Sequence, residues 1–399
     1  MSEPHSAPWW QGGALSAGPR GLQIGERAVA DLAAQHGTPL YVYDSARVAE
    51  HISLLRRTLD LIGKPARIHY ALKANRCPAV LRWMRAHGGV GIDACSPREV
   101  GLALDHGFAP AEISVTASVL PDRDLRTFVA QGVHLNLDSA DVVRRYAAVA
   151  PTGTAIGLRI DPETRMGYGD ATKLNYGGGK LGLAPEDVVA VARLARDLGL
   201  RVDTLHLHLG WGIQRKDEPA VREALRRLRS LAIEVGGITV LNVGGGLGGR
   251  LRAEDDPLPP ARWGQAIGEA LGDLDVELAC EPGTLLMAHA GLLVVQVTST
   301  FEKKGQRWAG VDAGLGINVY AAHYGAPLSV LDVARPLDAA GLSWNLAGHI
   351  NEAADVLGRD VSLGALAVGD LLALYPAGAY GSSMASDHCM RGGFAEVLV

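Results

Sequence analysis

Short apolar runs alternate with amphipathic helical stretches along the chain from about residue 66. Eight short apolar runs, often with β-branched residues, predict strands, at Ile68–Leu72, Val90–Ala94, Ile113–Ala117, His134–Leu137, Ile156–Ile160, Thr204–Leu209, Val240–Val243 and Glu277–Cys280. The stretches between them have helical periodicity, as in Pro78–His87, Pro97–His106, Asp122–Gln131, Pro185–Leu198 and Pro219–Val235. Eight strands alternating with helices predict a (β/α)8 barrel of the TIM type. An open doubly wound sheet is compatible with the same pattern.

The pattern changes after about residue 290. The stretches LLVVQVTSTFEKKGQRWAGVDAG, LSWNLAGHI and LLALYPAGAYG indicate strands and turns with few helices. We therefore expect residues 36–290 to form the barrel and residues 291–399 to form a C-terminal β domain. Residues 1–35 fit neither pattern and are expected to form an N-terminal arm that contributes to the β domain, with a strand at Leu22–Ile24.

Composition narrows the class of function. The 399 residues carry a net charge of −5, which disfavours nucleic acid as a partner. No apolar run approaches the roughly 20 residues that a transmembrane helix needs, and the N-terminus lacks a signal-peptide pattern. The four cysteines lie far apart without a CxxC pair, which suits a reducing compartment. We expect a cytoplasmic protein that acts on a small molecule and binds neither nucleic acid nor membrane.

Reactive side chains fall where the predicted strands end. In a barrel of this type, the C-terminal ends of the strands surround the active site. The residues at these ends are Lys73, Asp93, Arg159, His208, the glycines Gly244, Gly245 and Gly246, and Glu281. Lys73 follows an apolar run, and partial burial would lower its pKa towards that of a nucleophilic amine. A glycine run after the seventh strand suits an anion such as phosphate.

Each of these residues also has an ordinary structural explanation. A lysine after a strand is usually a solvated charge, and Glu281 could cap a turn. Asp93 and Arg159 could form an ion pair inside the barrel. His206 and His208 are spaced so that both side chains point into the barrel, but no third ligand has convincing spacing, so we expect no metal.

These motifs together resemble the fold-type III pyridoxal-phosphate (PLP) enzymes, in the diaminopimelate/ornithine decarboxylase branch. The matching motifs occur in the order of the family, as GTPLYVYD (37–44), YALKAN (70–75), HLHLG (206–210), NVGGGLGG (242–249), CEPG (280–283), VDAG (311–314), NEAADVLGRD (351–360), GAYG (378–381) and AEVLV (395–399). The resemblance covers nearly the whole chain. It implies a PLP-binding barrel, a C-terminal β domain and a homodimer with shared active sites.

By this resemblance, Lys73 forms the Schiff base with PLP, Glu281 contacts the pyridine nitrogen and His208 stacks on the ring. The further cofactor-binding residues that it implies are Asp93, Arg159, Gly244, Gly245, Gly246, Gly283 and Tyr380. A carboxylate beside the pyridine nitrogen keeps that nitrogen protonated, so the ring becomes an electron sink for a carbanion at Cα. Glu281 therefore favours decarboxylation over racemisation.

Four positions depart from the family pattern. The cysteine that the partner subunit contributes to product protonation is Asn351 here, followed by Glu352, and an amide is not a strong proton donor. The arginine that grips the distal carboxylate of diaminopimelate is Tyr320, while Tyr324 retains the next tyrosine. A tyrosine hydroxyl cannot replace a bidentate grip on a carboxylate. The other departures replace a family arginine and a family serine by Thr284 and Trp211.

The leading hypothesis is a PLP-dependent decarboxylase of an amino acid other than diaminopimelate, in siderophore or other secondary metabolism. Catalytic roles are expected for Lys73, Glu281, His208, Glu352 and Asn351, and substrate contacts for Tyr320, Tyr324, Asn351 and Glu352. Either a neighbour of Asn351 supplies the proton or the carbanion has another fate. The alternatives are a PLP-dependent racemase or epimerase and, remotely, a non-catalytic PLP-binding protein.

Overall fold

The structure is a computed structural model that describes residues 8–164, 166–168, 177–338 and 341–399. The chain divides into two compact units. One unit consists of Ile52–Gly248 and Asp256–Leu285, and the other of Met1–His51, Gly249–Asp255 and Leu286–Val399. The domain boundaries predicted from the sequence, after residues 35 and 290, stay predictions. Residues 1–7 of the predicted arm lie outside the described residues.

The N-terminal segment contains a small antiparallel sheet. Its strands pair in the order β1 (Leu15–Gly18), β2 (Gly21–Ile24) and β3 (Arg27–Ala28). The elements that follow are α1 (Val29–His36), β4 (Leu40–Tyr43) and α2 (Ser45–Asp60). The strand expected at Leu22–Ile24 is thus present as β2, but its partners are β1 and β3 rather than strands of the C-terminal sheet.

Eight parallel strands close into a barrel in chain order. They are β5 (Ala66–Ala71), β6 (Gly91–Ala94), β7 (Ile113–Thr116), β8 (His134–Leu137), β9 (Ala155–Ile160), β10 (Arg201–Leu207), β11 (Val240–Asn242) and β12 (Glu277–Cys280). The ring closes where β12 pairs with β5. This closure confirms the predicted (β/α)8 class and rules out the open sheet. Every barrel strand overlaps the stretch that the hydrophobic pattern predicted.

Helices cover the outside of the barrel and begin and end at the expected local signals. They are α3 (Pro78–Trp83), α4 (Pro97–Asp105), α5 (Asp122–Gln131), α6 (Ala140–Ala147), α7 (Val188–Asp197), α8 (Glu218–Val235), α9 (Pro260–Leu271) and the short α10 (Thr284–Met287). The side chain of Ser96 caps α4 by accepting from the N–H of Glu99 at 3.2 Å. Gly132 ends α5 in the left-handed conformation. No helix of the described residues is long and apolar enough to span a bilayer.

The C-terminal part forms a large sheet, as predicted from its strand-rich pattern. Its elements are β13 (Gly291–Lys303), β14 (Gln306–Val311), α11 (Val319–Tyr324), β15 (Ser329–Asp332), β16 (Leu342–Ala347), β17 (Val356–Leu363), β18 (Leu371–Tyr375) and β19 (Ala395–Leu398). The strand β4 joins this sheet between β13 and β19. Trp10, Leu22 and Leu32 of the N-terminal segment share a hydrophobic core with Leu292 and Ala373 of the sheet.

Candidate active site

Lys73 and Asp93 form an ion pair at the C-terminal end of the barrel. Lys73 lies in a single 3-10 turn after β5, and its Nζ is 2.7 Å from Oδ2 of Asp93 in β6. The Lys73 side chain is 40% exposed, whereas Asp93 is completely buried. Burial and the negative charge of Glu281 raise the pKa of Asp93 to about 7, although Lys73 opposes this shift. The partner of Asp93 is therefore Lys73, and not Arg159 as the sequence left open.

Glu281 follows β12, and its carboxylate accepts hydrogen bonds from three buried side chains. Oε2 lies 2.9 Å from Nε2 of His206. Oε1 accepts from Nδ2 of Asn242 at 2.8 Å and from Oγ1 of Thr116 at 3.4 Å. Burial alone would raise the pKa of Glu281, but His206 and the positive charge of Lys73 outweigh burial and hold this pKa well below its usual range. Glu281 is therefore an ionised carboxylate inside the barrel.

His208 follows β10 and is held as a neutral ring. Its Nδ1 accepts a hydrogen bond from the backbone N–H of Gly245 at 3.2 Å. Burial, followed by the positive charges of Arg159 and Lys73, lowers the pKa of His208 to about 3. A neutral imidazole with a fixed nitrogen suits stacking on an aromatic cofactor.

The glycine run after β11 is packed too closely for any side chain. A Cβ at Gly244 would overlap the carbonyl oxygen of Leu207, and a Cβ at Gly245 would overlap that of Glu281. The backbone N–H of Gly244 donates to Oδ1 of Asn242 at 2.9 Å, as that of Gly245 does to His208. Since these two N–H groups are engaged, we expect Gly246 to supply the backbone contact of this run to a phosphate.

Two further predicted cofactor residues lie in the barrel unit. Arg159 is a buried residue of β9, in register with His206 of β10. Gly283 is buried and immediately precedes α10. The carbonyl of Pro282 accepts a hydrogen bond from the N–H of Ala71 at 3.2 Å, which ties the CEPG turn to the end of β5.

The predicted tyrosines form a cluster in the other unit. Tyr320 of α11 is 8% exposed. Its ring stacks on that of Tyr380, with centroids 5.5 Å apart, and contacts that of Tyr324 at 5.8 Å. The position that the resemblance assigns to a carboxylate-binding arginine is thus a buried aromatic ring.

Asn351 and Glu352 lie in an exposed loop between β16 and β17. Oε1 of Glu352 is 3.0 Å from Nε2 of His388. The buried carboxylate of Asp355 accepts hydrogen bonds from the backbone N–H groups of Leu315 at 2.6 Å and Ile350 at 2.7 Å. These two hydrogen bonds fix the conformation of the loop.

The two other departures lie in the barrel unit. Trp211 is 7% exposed, and its ring meets that of Tyr168 edge-on at 5.6 Å. Thr284 begins α10. The described part of the chain contains no group of three or more His, Cys, Asp or Glu side chains that could hold a metal ion. The expected absence of a metal stays a prediction.

Sequence reasoning missed the polar side chains that surround Glu281. Asn242 and Thr116 are buried at the ends of β11 and β7. Asn136 of β8 extends this set, because its Nδ2 donates to Oγ1 of Thr116 at 2.9 Å. The signal that could have found them is a polar residue at an inward position of an otherwise apolar strand.

Comparisons with known proteins agree with this geometry. A family model described as "Pyridoxal-dependent decarboxylase, pyridoxal binding domain" matches residues 45–288. The diaminopimelate decarboxylase of Methanothermobacter thermautotrophicus is 33% identical over 389 residues, which cover 95% of this chain and 90% of the relative. That of Pseudomonas aeruginosa is 35% identical over 382 residues, which cover 93% and 90%. The solved structure of diaminopimelate decarboxylase from Helicobacter pylori, complexed with L-lysine, is 26% identical with a TM-score of 0.84 and covers 93% of each chain.

The site and these matches define a pyridoxal-dependent enzyme of the (β/α)8-barrel class. The chain belongs to the family of pyridoxal-dependent decarboxylases. Its class of activity is PLP-dependent decarboxylation of an amino acid, which confirms the predicted enzyme class and cofactor. The racemase and non-catalytic alternatives gain no support from these relatives.

The residues of the barrel fit PLP on their own chemistry. Lys73 offers an amine that is reachable from solvent, and Glu281 offers a buried ionised carboxylate for a protonated ring nitrogen. His208 offers a neutral ring. Oδ1 of Asp93 is buried and has no hydrogen-bond partner among the described residues, so the site retains an unused acceptor.

Proposed function

We propose that this protein decarboxylates an α-amino acid other than diaminopimelate. The observation that carries the proposal is the buried aromatic cluster at Tyr320, where the resemblance to the family expects an arginine. The proposal includes a cytoplasmic homodimer with shared active sites and a substrate from siderophore or other secondary metabolism.

The barrel residues have separate roles in this proposal. Lys73 holds PLP covalently, and His208 packs on its ring. Glu281 keeps the ring nitrogen protonated, because an adjacent buried carboxylate favours the positive form. When bound, PLP supplies an electron sink that weakens the bond from Cα to the carboxylate of the substrate. Asp93 holds the Lys73 amine in place through their 2.7 Å contact.

The substrate argument depends on what a tyrosine can bind. An arginine forms two parallel charge-assisted hydrogen bonds with a carboxylate, whereas a phenol offers one neutral donor. Tyr320 packs on Tyr380 and Tyr324, so its surroundings favour a neutral or apolar distal group. The names of the relatives describe those proteins, and 33–35% identity is compatible with a changed substrate position.

The loop at Asn351 and Glu352 replaces the proton-donating cysteine loop of the family. Asn351 offers an amide, which is a poor proton donor. Glu352 lies beside it and pairs with His388 at 3.0 Å. We assign delivery of the product proton to the protonated, carboxylic acid form of Glu352, acting in the active site of a partner subunit as the resemblance implies.

The test uses the PLP-loaded enzyme and a panel of amino acids that includes diaminopimelate. Borohydride reduction followed by peptide mapping should place a pyridoxyl group on the peptide that contains Lys73. The kcat/KM for release of carbon dioxide should be at least about tenfold higher with another amino acid than with diaminopimelate, because the distal carboxylate of diaminopimelate lacks a charged partner. The matched variant Tyr320→Arg should raise the rate with diaminopimelate.

Three results would contradict parts of this proposal. Diaminopimelate as the preferred substrate of the wild-type enzyme would reject the substrate assignment. Hydrogen exchange at Cα without release of carbon dioxide would reject decarboxylation. A pyridoxyl group that maps away from Lys73 would reject the assigned site.

A further inference from the structure

Two buried polar side chains beside Glu281 have no role in the reaction as described so far. His206 of β10 is completely buried, and Asn242 of β11 is 2% exposed. Each contacts one oxygen of Glu281, His206 at Oε2 and Asn242 at Oε1. They are paired residues of adjacent strands, so their side chains start at the same level of the barrel. Buried polar groups in such a layer are costly unless they are hydrogen-bonded.

The protonation state of His206 follows from its surroundings. Burial lowers the pKa of His206, so the ring is neutral. An ionised Glu281 can only accept, so the proton of the neutral ring lies on Nε2 and is donated to Oε2. Nδ1 is then a bare acceptor, and this atom has no hydrogen-bond partner in the described part of the chain. Nδ1 of His206 is therefore buried without a hydrogen-bond partner among the described residues, whereas Nε2 donates to Glu281. Such incomplete satisfaction of a buried polar side chain is typical of functional residues.

The orientation of Asn242 is fixed by two partners of opposite kind. Its Nδ2 donates to Glu281, and its Oδ1 accepts from the N–H of Gly244 at 2.9 Å. A flipped amide would lose both hydrogen bonds. Asn242 therefore connects the carboxylate of Glu281 with the glycine run that follows β11.

We infer that His206 and Asn242 are positioning residues that hold one oxygen each of Glu281, so that this carboxylate stays ionised and faces the ring nitrogen of PLP. The inference rests on the proposed function in one respect, the binding of PLP at Lys73. The charged and titratable groups that also act on Glu281 are Lys73, Asp93, His208 and His69, all of which the experiment leaves in place.

The experiment measures protonation of the ring nitrogen directly. Enzyme loaded with PLP labelled with 15N at the ring is titrated by NMR, since the chemical shift of that nitrogen reports its proton. His206→Phe keeps a ring but removes the N–H donor to Oε2, so the carboxylate of Glu281 is no longer held against the ring nitrogen. We expect the midpoint of the ring-nitrogen titration to fall by about one pH unit or more. His206→Gln retains an N–H donor and should restore most of the shift.

A second variant and a matched control separate this role from a structural one. Asn242→Leu keeps roughly the size of the side chain but removes the N–H donor to Oε1 without adding a charge, so the midpoint should fall in the same direction. His134→Gln changes another barrel histidine, at the start of β8, whose Nε2 lies 3.1 Å from Oδ1 of Asp203, and should leave the midpoint unchanged. Thermal unfolding of each variant shows that it is folded.

A wild-type titration midpoint in folded His206→Phe or Asn242→Leu enzyme would overturn the inference. If His206→Phe does not fold, the same titration of Asn242→Leu and His206→Gln tests the inference. Failure of the proposed function is distinguishable, because it appears in the wild-type enzyme as the absence of a pyridoxyl group on the Lys73 peptide.

Discussion

Two buried carboxylates in one site, Asp93 and Glu281, have pKa values shifted in opposite directions. Asp93 interacts with one cation, Lys73, and its Oδ1 has no hydrogen-bond partner within the described part of the chain. Burial and the negative charge of Glu281 therefore outweigh Lys73 and raise the pKa of Asp93 to about 7. Glu281 has donors on both oxygens, so its charged form is stabilised and its pKa falls. The difference comes from the number of donors that reach each carboxylate. Glu281 is therefore the carboxylate of the site that remains ionised.

Glu281→Gln should slow decarboxylation while PLP remains on Lys73. The variant keeps the size of the side chain but removes the charge that holds the ring nitrogen protonated. We expect kcat to fall by about a hundredfold or more, as for the loss of other preorganised charges in active sites. Release of carbon dioxide and the content of bound pyridoxyl are measured together. Glu277→Gln, at the start of the same strand, is the control and should retain the wild-type rate. A wild-type rate in Glu281→Gln would refute this role.

At the scale of elements, the connection between β16 and β17 depends on one buried carboxylate. Asp355 is 4% exposed and accepts two backbone N–H groups, from Leu315 and Ile350. A Cβ at Gly348 would overlap the same carboxylate. The loop that exposes Asn351 and Glu352 is therefore shaped by Asp355, which holds this loop in place without a strand or helix of its own.

Asp355→Ala should destabilise this connection by about 2–4 kcal/mol, because two buried N–H groups lose their acceptor. Hydrogen exchange at residues 349–356 should become faster. Asp355→Asn retains one acceptor oxygen and should have a smaller effect. Denaturant unfolding and hydrogen exchange provide the measurements, with Glu302→Gln, an exposed change at the end of β13, as the control. Exchange at the wild-type rate in Asp355→Ala would contradict the role of this carboxylate.

At the scale of the whole molecule, stability against acid depends on histidines that fold in the neutral form. His51 is 7% exposed, and its Nδ1 lies 3.1 Å from the carbonyl oxygen of Leu286. Burial, followed by the charge of Arg47, lowers the pKa of His51 to about 4. The unfolded chain binds a proton at this residue below about pH 6.5, whereas the folded chain does so only near pH 4. The neutral form therefore contributes stability that is present above pH 6.5 and is lost as the pH falls towards 4.

His51→Gln should make the free energy of unfolding less sensitive to pH. Between about pH 6.5 and 4, the wild-type residue contributes a loss of about 1.4 kcal/mol per pH unit, which the variant lacks. Denaturant unfolding at several pH values gives the slope. His36→Gln, at the exposed end of α1, is the control and should keep the wild-type slope. An unchanged slope in His51→Gln would show that this histidine does not fold neutral.

The sequence by itself determined the barrel and the positions at its strand ends. Strand and helix periods and caps such as Ser96 are local signals, so all eight strands were predictable, and Lys73 and Glu281 could be placed at strand ends. Only the tertiary structure decided that Asp93 pairs with Lys73 and that His206 and Asn242 hold Glu281. These contacts join residues far apart in the chain. They depend on ring closure and strand register, which no local pattern specifies.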